Sequence, residues 1–364
     1  MNQSATQPIP AADPSKWLPV PIPISEQTWP VGTKPVVSII CITYNHDKFI
    51  RECLDGFLMQ ETTFPVEILV HDDASTDHTA DILREYAAQY PTLFRLYLQT
   101  ENQYSQGIAI TPILCDLASG ELIAFCEGDD YWFYPQKLLQ QENILRVRHD
   151  LVMVSHGCKR AIDGGGDMIP WLRTKGLGNK EYTDLDILLG VFDLMQTWLI
   201  RKPCFDQRFL KMRKSFPVGD TPYNLYLLQN GSKGLSLEKL WSCYRQHPGG
   251  IWSPLSVFSQ HLKHLVGYVV HKGFYGAKYA DSLGALAKQT RVELTLILAS
   301  NLMRFKWALA YRDISLFFNF ASEYFHPRKE IALVALYLPR SVMVAVGRKL
   351  EKFCTNRNLS LNGR

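Results

Sequence analysis

The first third of the chain alternates between continuous apolar runs and stretches in which apolar residues recur at helical spacing. The runs VVSIICITY, VEILVHDD, FRLYLQT and ELIAFC are typical of strands buried on both faces. The stretches between them, such as HDKFIRECLDGFLMQ and STDHTADILREYAAQY, have the periodicity of amphipathic helices, and Ser75 or Thr76 is expected to cap the second helix. Alternating strands and helices predict an α/β fold with a mainly parallel sheet.

Polar clusters follow three of the predicted strands directly. They are Thr43-Tyr44-Asn45 after the first strand, His71-Asp72-Asp73 after the second, and Glu127-Gly128-Asp129-Asp130 after the fourth. A sheet of this kind binds ligands at the carboxyl ends of its strands. One crevice is therefore predicted to collect all three clusters.

The cluster EGDD brings three carboxylates into four positions. Close like charges raise one another's pKa, and a divalent cation removes this conflict. Mg²⁺ takes one or two protein carboxylates and fills its other positions with water and phosphate oxygens, so the cluster is a candidate diphosphate site. The alternative interpretation is a solvated acidic loop.

The phrase DDASTD has two interpretations as well. Asp72 or Asp73, at the end of a strand, can accept hydrogen bonds from a ribose hydroxyl or a base N–H. Alternatively, the phrase only caps the helix that follows it.

The second half of the chain is less regular. Strands are predicted at DLVMVSHGC, MQTWLIRK and LEKLWSCYRQ, with a helix at TPYNLYLLQNG, and helical patterns prevail after about Pro254. These features divide the chain into a Pro-rich tail (1–33), an α/β domain (34–254, with a first half 34–132 and a second half 133–254) and a C-terminal helical region (255–364).

The tail holds seven of the twenty prolines, a composition that favours a loose extended segment over a docked arm. At the other end, RKEIALVALYLPRSVMVAVGRKLEKF is apolar with basic flanks. This stretch can lie on an anionic membrane surface, or it can pack as a helical hairpin against the α/β domain.

Composition narrows the class of protein further. A formal net charge of +4, without a basic stripe interleaved with aromatics, does not favour nucleic acid as a partner. The eight cysteines fall mostly in apolar runs without zinc-ligand spacing, as expected of core residues in a reducing compartment. Because neither a signal peptide nor a long apolar span is visible, we expect a cytoplasmic protein, with the inner face of the membrane as the place of any membrane contact.

Three segments together resemble a known family: VSIICITYNHDKFIRECLDGFLMQ, ILVHDDASTDHTADIL and IAFCEGDDYWFYPQKLLQQ. They are similar to the nucleotide-sugar half of family 2 glycosyltransferases with the GT-A fold, over about residues 34–145. The resemblance implies inverting transfer of a sugar from a nucleoside-diphosphate donor with Mg²⁺ or Mn²⁺. It also implies that Thr43, Tyr44 and Asn45 line the nucleotide pocket, with Asp72 and Asp73 at the base and ribose.

The family's metal-binding D-x-D motif aligns with Glu127-Gly128-Asp129. This alignment implies that Asp129 is the metal ligand and that Asp130 is the next candidate on the donor side. Glu127 departs from the common Asp and reaches one methylene further, so both a ribose contact and a metal contact stay open for it.

The resemblance implies that residues 34–254 are a catalytic domain, with 34–132 as its nucleotide half and 133–254 as its acceptor half. The acceptor half resembles the family through SFPVGDTPYNLYLLQNGSKGLSLEKLWSCYRQHPGG. Asp220 fits the catalytic base, because the attacking hydroxyl must lose a proton as it bonds to the anomeric carbon. The alternative is that Asp220 only caps its helix. Arg245 and His247 are candidates for contact with the leaving diphosphate or the metal, and a surface turn is the alternative for both.

The chain lacks the Q-x-x-R-W motif and the membrane spans of processive polysaccharide synthases. Transfer of a single sugar to a glycan or lipid-linked saccharide, in surface polysaccharide or cell-wall glycan synthesis, is therefore the expected function. Two other classes stay open at this point: an inactive nucleotide-sugar binding module and a metal-dependent phosphohydrolase.

Overall fold

The computed structural model describes residues 14–162, 169–171, 179–188, 193–214, 219–251, 255 and 260. Almost all of them belong to one compact unit, which extends to Lys214 and continues from Gly219 to Gly250. The predicted helical region 255–364 lies almost wholly outside the described residues, as does the C-terminal stretch with basic flanks.

The described residues form twelve strands and seven α-helices. The strands are β1 (Ile22–Pro23), β2 (Val37–Thr43), β3 (Glu61–Thr62), β4 (Val66–Asp72), β5 (Phe94–Leu98), β6 (Leu122–Phe125), β7 (Tyr131–Trp132), β8 (Leu151–Ile162), β9 (Ile169–Trp171), β10 (Lys180–Tyr182), β11 (Leu199–Arg201) and β12 (Lys233–Gln246). The helices are α1 (Ile50–Leu58), α2 (Thr79–Gln89), α3 (Ile110–Leu117), α4 (Lys137–Val147), α5 (Asp184–Leu188), α6 (Gln207–Lys214) and α7 (Asp220–Leu227).

Ten strands form one sheet in the order β10-β12-β8-β11-β6-β2-β4-β5, with β7 paired to β12 and β9 paired to β8. The predicted strands of the first half pair in parallel, as β6-β2-β4-β5. Strand β11 then runs antiparallel between β6 and β8. The α/β fold is therefore confirmed, and the second half of the sheet is mixed.

Burial explains why β2 and β4 read as continuous apolar runs. Every residue of β4 is buried, and in β2 only Ile42 is partly exposed. These strands are neighbours in the interior of the sheet, flanked by β6 and β5, and most of their apolar side chains belong to one hydrophobic core. The six buried free cysteines among the described residues fit the expectation of core thiols, whereas Cys204 is exposed.

The Pro-rich segment is not a loose tail in its described part. Strand β1 pairs antiparallel with β3, and Ile24 is fully buried. The Trp17 ring lies 5.2 Å from the Phe64 ring in an edge-on contact. The expectation of a loose segment is therefore wrong for residues 14–30, because their apolar side chains find partners on the catalytic domain.

Candidate active site

The turn after β2 carries the first predicted cluster. Thr43 is buried, Tyr44 is 43% exposed, and Asn45 has a left-handed backbone with φ of 55°. The Asn45 side-chain oxygen accepts a hydrogen bond of 2.7 Å from the Thr76 amide. The turn is thus tied to the loop after β4, as expected where neighbouring parallel strands end together.

The second cluster, Asp72-Asp73, is held by the protein's own donors. The Asp72 carboxylate accepts hydrogen bonds from the amide and the hydroxyl of Ser75. Asp73 accepts from the amides of Gln103 and Tyr104, at 2.7 and 3.0 Å. Both carboxylates are buried and shape the loops that surround the crevice.

Helix α2 starts later than predicted, and its N-cap position is His78, whose side chain makes no capping hydrogen bond. Its first residue is Thr79, and the Thr79 amide donates to the Asp77 carboxylate at 2.9 Å. The prediction that Ser75 or Thr76 caps this helix is wrong, because these residues bind Asp72 and Asn45 instead.

The third cluster follows β6 and packs directly on the end of β2. The Gly128 amide donates to the Ile42 carbonyl at 2.9 Å. A Cβ atom on Gly128 would lie 2.5 Å from the Thr43 hydroxyl oxygen and 3.0 Å from the His46 ring, closer than real side chains approach. Only glycine therefore lets the acidic turn sit this close to the neighbouring strand.

Asp129 faces two histidines from distant parts of the chain. Its Oδ2 lies 3.0 Å from the His247 Nε2 and 3.8 Å from the His46 Nε2. Burial alone would raise the pKa of Asp129, but the hydrogen bond from His247 and the charges of both histidines outweigh burial and hold this pKa below its ordinary value. Asp129 is therefore poised as an anion.

The other two acids of the cluster are driven toward protonation. Glu127 is an exposed residue, yet the protein around its carboxyl group, followed by the charges of Asp129 and Asp220, raises its pKa to about 8. Burial and the neighbouring Asp129 also raise the pKa of Asp130 well above its ordinary value. The Asp130 Oδ1 accepts from the Arg245 amide at 2.8 Å, whereas its buried Oδ2 has no hydrogen-bond partner within the described part of the chain. Such a crowded set of carboxylates is what a cation relieves.

Arg245, on β12, fastens the acidic turn to helix α1. Its guanidinium donates to the Asp129 carbonyl at 2.7 Å and forms an ion pair with Glu52 of α1. The guanidinium carbon also lies 4.3 Å from the centre of the Tyr131 ring, as in a cation–π contact. These contacts position the turn, and the predicted contact with a diphosphate remains a prediction.

Asp220 is the first residue of α7, the position expected from the sequence. Its charge acts on Glu127, so this carboxylate from the acceptor half lies within electrostatic range of the acidic turn. The structure thus brings the predicted base and the predicted metal ligands to one region.

Among the residues that the structure describes, two sets of ligand atoms fit a divalent cation, and they share Asp129. One set is His46, Asp129 and His247, and the other is Glu127, Asp129 and Asp130, with the atoms of each set within 4.8 Å of one another. Imidazole nitrogen and carboxylate oxygen are both ordinary ligands of divalent metals. Burial lowers the pKa of His46 and so favours the neutral form that ligates metal.

His46 was not predicted from the sequence. A lone histidine shortly before a helix has no ligand spacing of its own, and its partners Asp129 and His247 come from other parts of the chain. The one usable signal was its position directly after Thr43-Tyr44-Asn45, at the end of a buried strand.

None of the helices in the described part of the chain is long and apolar enough to cross a membrane.

Comparisons with known proteins agree with this architecture. Residues 38–201 match the model of the family described as glycosyl transferase family 2. An uncharacterized protein of Mycobacterium tuberculosis is 36% identical over 230 residues, and a putative glycosyltransferase of Bacillus subtilis, EpsH, is 32% identical over 126 residues. The first match covers 59% of this chain and 60% of the relative, and the second covers 34% and 35%. The chain thus spans less than two thirds of the length of these curated relatives.

Among solved structures, S. aureus TarS 1-349 in complex with UDP-GlcNAc is similar, with a TM-score of 0.52 and 18% identity. The similarity covers 90% of this chain and 93% of that chain, and it supports the GT-A type fold. The matched family region begins in β2, carries the three polar clusters and ends at the last residue of β11. Residues 38–201 therefore carry the features of glycosyl transferase family 2, the family whose model they match.

Proposed function

We propose that this protein is a metal-dependent inverting glycosyltransferase. It moves a single sugar from a nucleoside-diphosphate donor to a hydroxyl of a glycan or lipid-linked saccharide. The observation that carries the proposal is the position of Asp129, an anion flanked by His46 and His247. Asp129 lies on the same turn as Glu127, whose pKa is raised in part by the charge of Asp220. Metal ligands and a candidate base therefore lie in one acidic region.

Asp129 and His247 are the proposed metal ligands, as the sequence predicted. A Mg²⁺ or Mn²⁺ ion held there would neutralise the charge of the leaving diphosphate. The buried Asp130 oxygen without a partner supports a cation in this region, because such a group is costly when nothing compensates it. Arg245 keeps the turn in place through Asp129 and Glu52.

The proposed donor pocket is the crevice at the ends of β2 and β4. Tyr44 offers an exposed ring for a base, and the turn at Thr43 and Asn45 would surround the nucleotide. Asp72 and Asp73 hold the pocket loops through hydrogen bonds from Ser75, Gln103 and Tyr104, and we propose that their remaining lone pairs accept from the ribose and the base.

Asp220 is the proposed catalytic base. A carboxylate at the start of α7 can accept the proton of the acceptor hydroxyl as that oxygen bonds to the anomeric carbon. The diphosphate departs on the opposite face with the electrons of the broken glycosidic bond, which inverts the configuration. The charges of both the proposed metal ligand, Asp129, and the proposed base, Asp220, raise the pKa of Glu127.

The acceptor class and the role of the whole protein rest on relatives. One relative, 36% identical over 98 residues, is named poly(ribitol-phosphate) beta-glucosyltransferase, from Bacillus spizizenii. We propose a similar setting, the synthesis of a surface or cell-wall glycan on the cytoplasmic side, with membrane contact through residues 328–353.

The test is release of nucleoside diphosphate from UDP-GlcNAc and other donors with Mn²⁺, with and without acceptors such as alkyl glycosides and poly(ribitol phosphate). The proposal expects acceptor-dependent release that Asp220→Asn lowers by about a hundredfold or more, while nucleotide binding is retained. Asp81→Asn, at an exposed acid on α2, is the control and should retain full activity.

Two results would contradict the proposal. Release of inorganic phosphate or sugar phosphate without any acceptor would indicate a phosphohydrolase. Nucleotide binding without turnover, with every donor and acceptor, would indicate a binding module.

A further inference from the structure

We infer that His46 is a third protein ligand of the metal, and that the resulting two-histidine, one-carboxylate set selects Mn²⁺ or Co²⁺ over Mg²⁺. This inference rests on the proposed function, because it concerns the metal of that same site. It decides between the two ligand sets that share Asp129, one with two nitrogens and one with three carboxylates.

The distances fit one shared ion. Metal–nitrogen and metal–oxygen bonds of about 2.1 Å allow two ligands of one ion to lie up to about 4.2 Å apart. The His247 and His46 nitrogens lie 3.0 and 3.8 Å from the same oxygen of Asp129. The second distance is too long for a hydrogen bond, yet it suits two ligands with an ion between them.

The His46 ring is held in the orientation that ligation needs. Its Nδ1 lies 3.2 Å from the Thr43 hydroxyl oxygen, and its backbone amide donates to the Thr79 hydroxyl at 2.8 Å. Metal-binding histidines commonly donate their second ring N–H to such a partner, which fixes the tautomer. With Nδ1 directed at Thr43, the Nε2 atom is left for the side of Asp129 and His247.

Charge also favours the histidine set. A divalent cation beside one carboxylate and two neutral imidazoles keeps a net positive charge, which attracts a diphosphate. Beside three carboxylates its net charge would be negative and would repel the diphosphate. Asp130 is moreover fully buried and already accepts a hydrogen bond from the Arg245 amide, so it is poorly placed to bind a metal that also contacts a diphosphate.

Ligand chemistry then sets the preference among metals. Mg²⁺ prefers oxygen ligands and water, whereas imidazole suits first-row transition metals. A site with two imidazoles should therefore bind Mn²⁺ and Co²⁺ more tightly than Mg²⁺. Replacement of His46 by a carboxylate should reduce that preference.

The test measures metal binding to the full chain in the presence of UDP. Pulsed EPR of bound Mn²⁺ should detect two imidazole nitrogens in the wild type and one in His46→Gln. The Mn²⁺ and Co²⁺ dissociation constants of His46→Gln should rise at least about tenfold, with a smaller change for Mg²⁺. His46→Asp should shift the preference toward Mg²⁺. His78→Gln, at an exposed histidine, is the matched control and should change nothing.

The outcomes separate the inference from the proposed function. A single nitrogen in the wild type, or an unchanged Mn²⁺ affinity in His46→Gln, overturns the role of His46 and leaves the proposed transferase intact. A larger loss of Mn²⁺ affinity in Glu127→Gln than in His46→Gln favours the three-carboxylate set and also overturns it. Failure of the wild type to bind any of the three metals contradicts the metal dependence of the proposed function itself.

Discussion

Two pairs of adjacent aspartates follow parallel strands of the same sheet, and the protein uses them in different ways. Asp72 and Asp73 are buried among donors, because Ser75, Gln103 and Tyr104 satisfy their oxygens. Asp129 and Asp130 lie among acids and histidines, and one buried oxygen of Asp130 has no hydrogen-bond partner among the residues that the structure describes.

The difference teaches that the number of acids at a strand end does not determine what they do. Carboxylates that the protein's own amides satisfy build and brace the loops. Carboxylates that repel one another are stabilised in their ionised form when a cation binds beside them. The first pair therefore frames the crevice, and Asp129 of the second pair is the carboxylate that we expect to bind the metal.

The largest expected effect is a loss of turnover when Asp129, in the second pair, is replaced. Asp129→Asn removes the anionic ligand shared by both candidate metal sets, and turnover should fall about a thousandfold, since metal stabilisation of transition-state charge contributes several kcal/mol. Steady-state kinetics with Mn²⁺ would measure this loss. The folding free energy should change little, because the neutral amide relieves repulsion with Glu127 and Asp130 and keeps a polar group beside His247; a wild-type turnover rate would contradict the assignment.

Asp73→Ala tests the first pair, Asp72 and Asp73, through its effect on the stability of the fold. Loss of two charge-assisted hydrogen bonds from backbone amides should lower the free energy of unfolding by about 2–3 kcal/mol. Urea denaturation would measure this loss of stability, and Asp116→Ala, at an exposed position, is the control. The Mn²⁺ affinity should stay near that of the wild type. A large loss of metal affinity without destabilisation would erase the distinction between the pairs.

Gly128→Ala tests the close packing of the acidic turn, Glu127 to Asp130, against the end of β2. The added Cβ meets Thr43 and must push the acidic turn away from β2, at a cost of about 1–3 kcal/mol. Mn²⁺ affinity should fall about tenfold because the ligands move. Gly219→Ala is the control, since a Cβ there meets no atom of the described residues within 4 Å. Equal denaturation midpoints for both variants would refute the packing argument.

The smallest effect concerns pH. Because the pKa of Glu127 is raised from 4.5 to about 8, the folded protein keeps a proton there that the unfolded chain has already lost. The contribution of Glu127 to the stability of the metal-free protein should therefore decrease as the pH rises from about 4.5 to 8. Glu127→Gln should remove this contribution, so that the variant loses less stability, or gains more, than the wild type over this range, as measured by denaturation with EDTA between pH 5 and 8. The exposed Glu238→Gln should follow the wild type; a Glu127→Gln variant that does so too would refute the shift.

Local patterns carried much of the fold and of the candidate site. The buried strands β2, β4 and β6 were visible because their apolar runs end abruptly in polar residues, and that boundary also located the three clusters. Asp220 was visible because an acid begins an apolar helix after a loop. Each of these signals lies within one short segment of chain.

Several specific contacts between distant segments were not visible in the sequence. The approach of His46 to Asp129 and the ion pair between Arg245 and Glu52 depend on how four separate elements meet. The antiparallel insertion of β11 and the docking of residues 14–30 depend on partner strands in the same way. Sequence periodicity reports which face of an element is apolar, but it does not report which element covers that face.

The most direct test of the account is a thermal-shift panel of UDP-, GDP-, dTDP- and CMP-sugars, each with and without Mn²⁺, on the wild type and Asp129→Asn. Ligands that bind the folded state raise its melting temperature. The account predicts that at least one donor raises the wild-type melting temperature only when Mn²⁺ is present, and that Asp129→Asn abolishes this rise. A wild type without a metal-dependent shift for any donor, or an Asp129→Asn variant with the full shift, would contradict it.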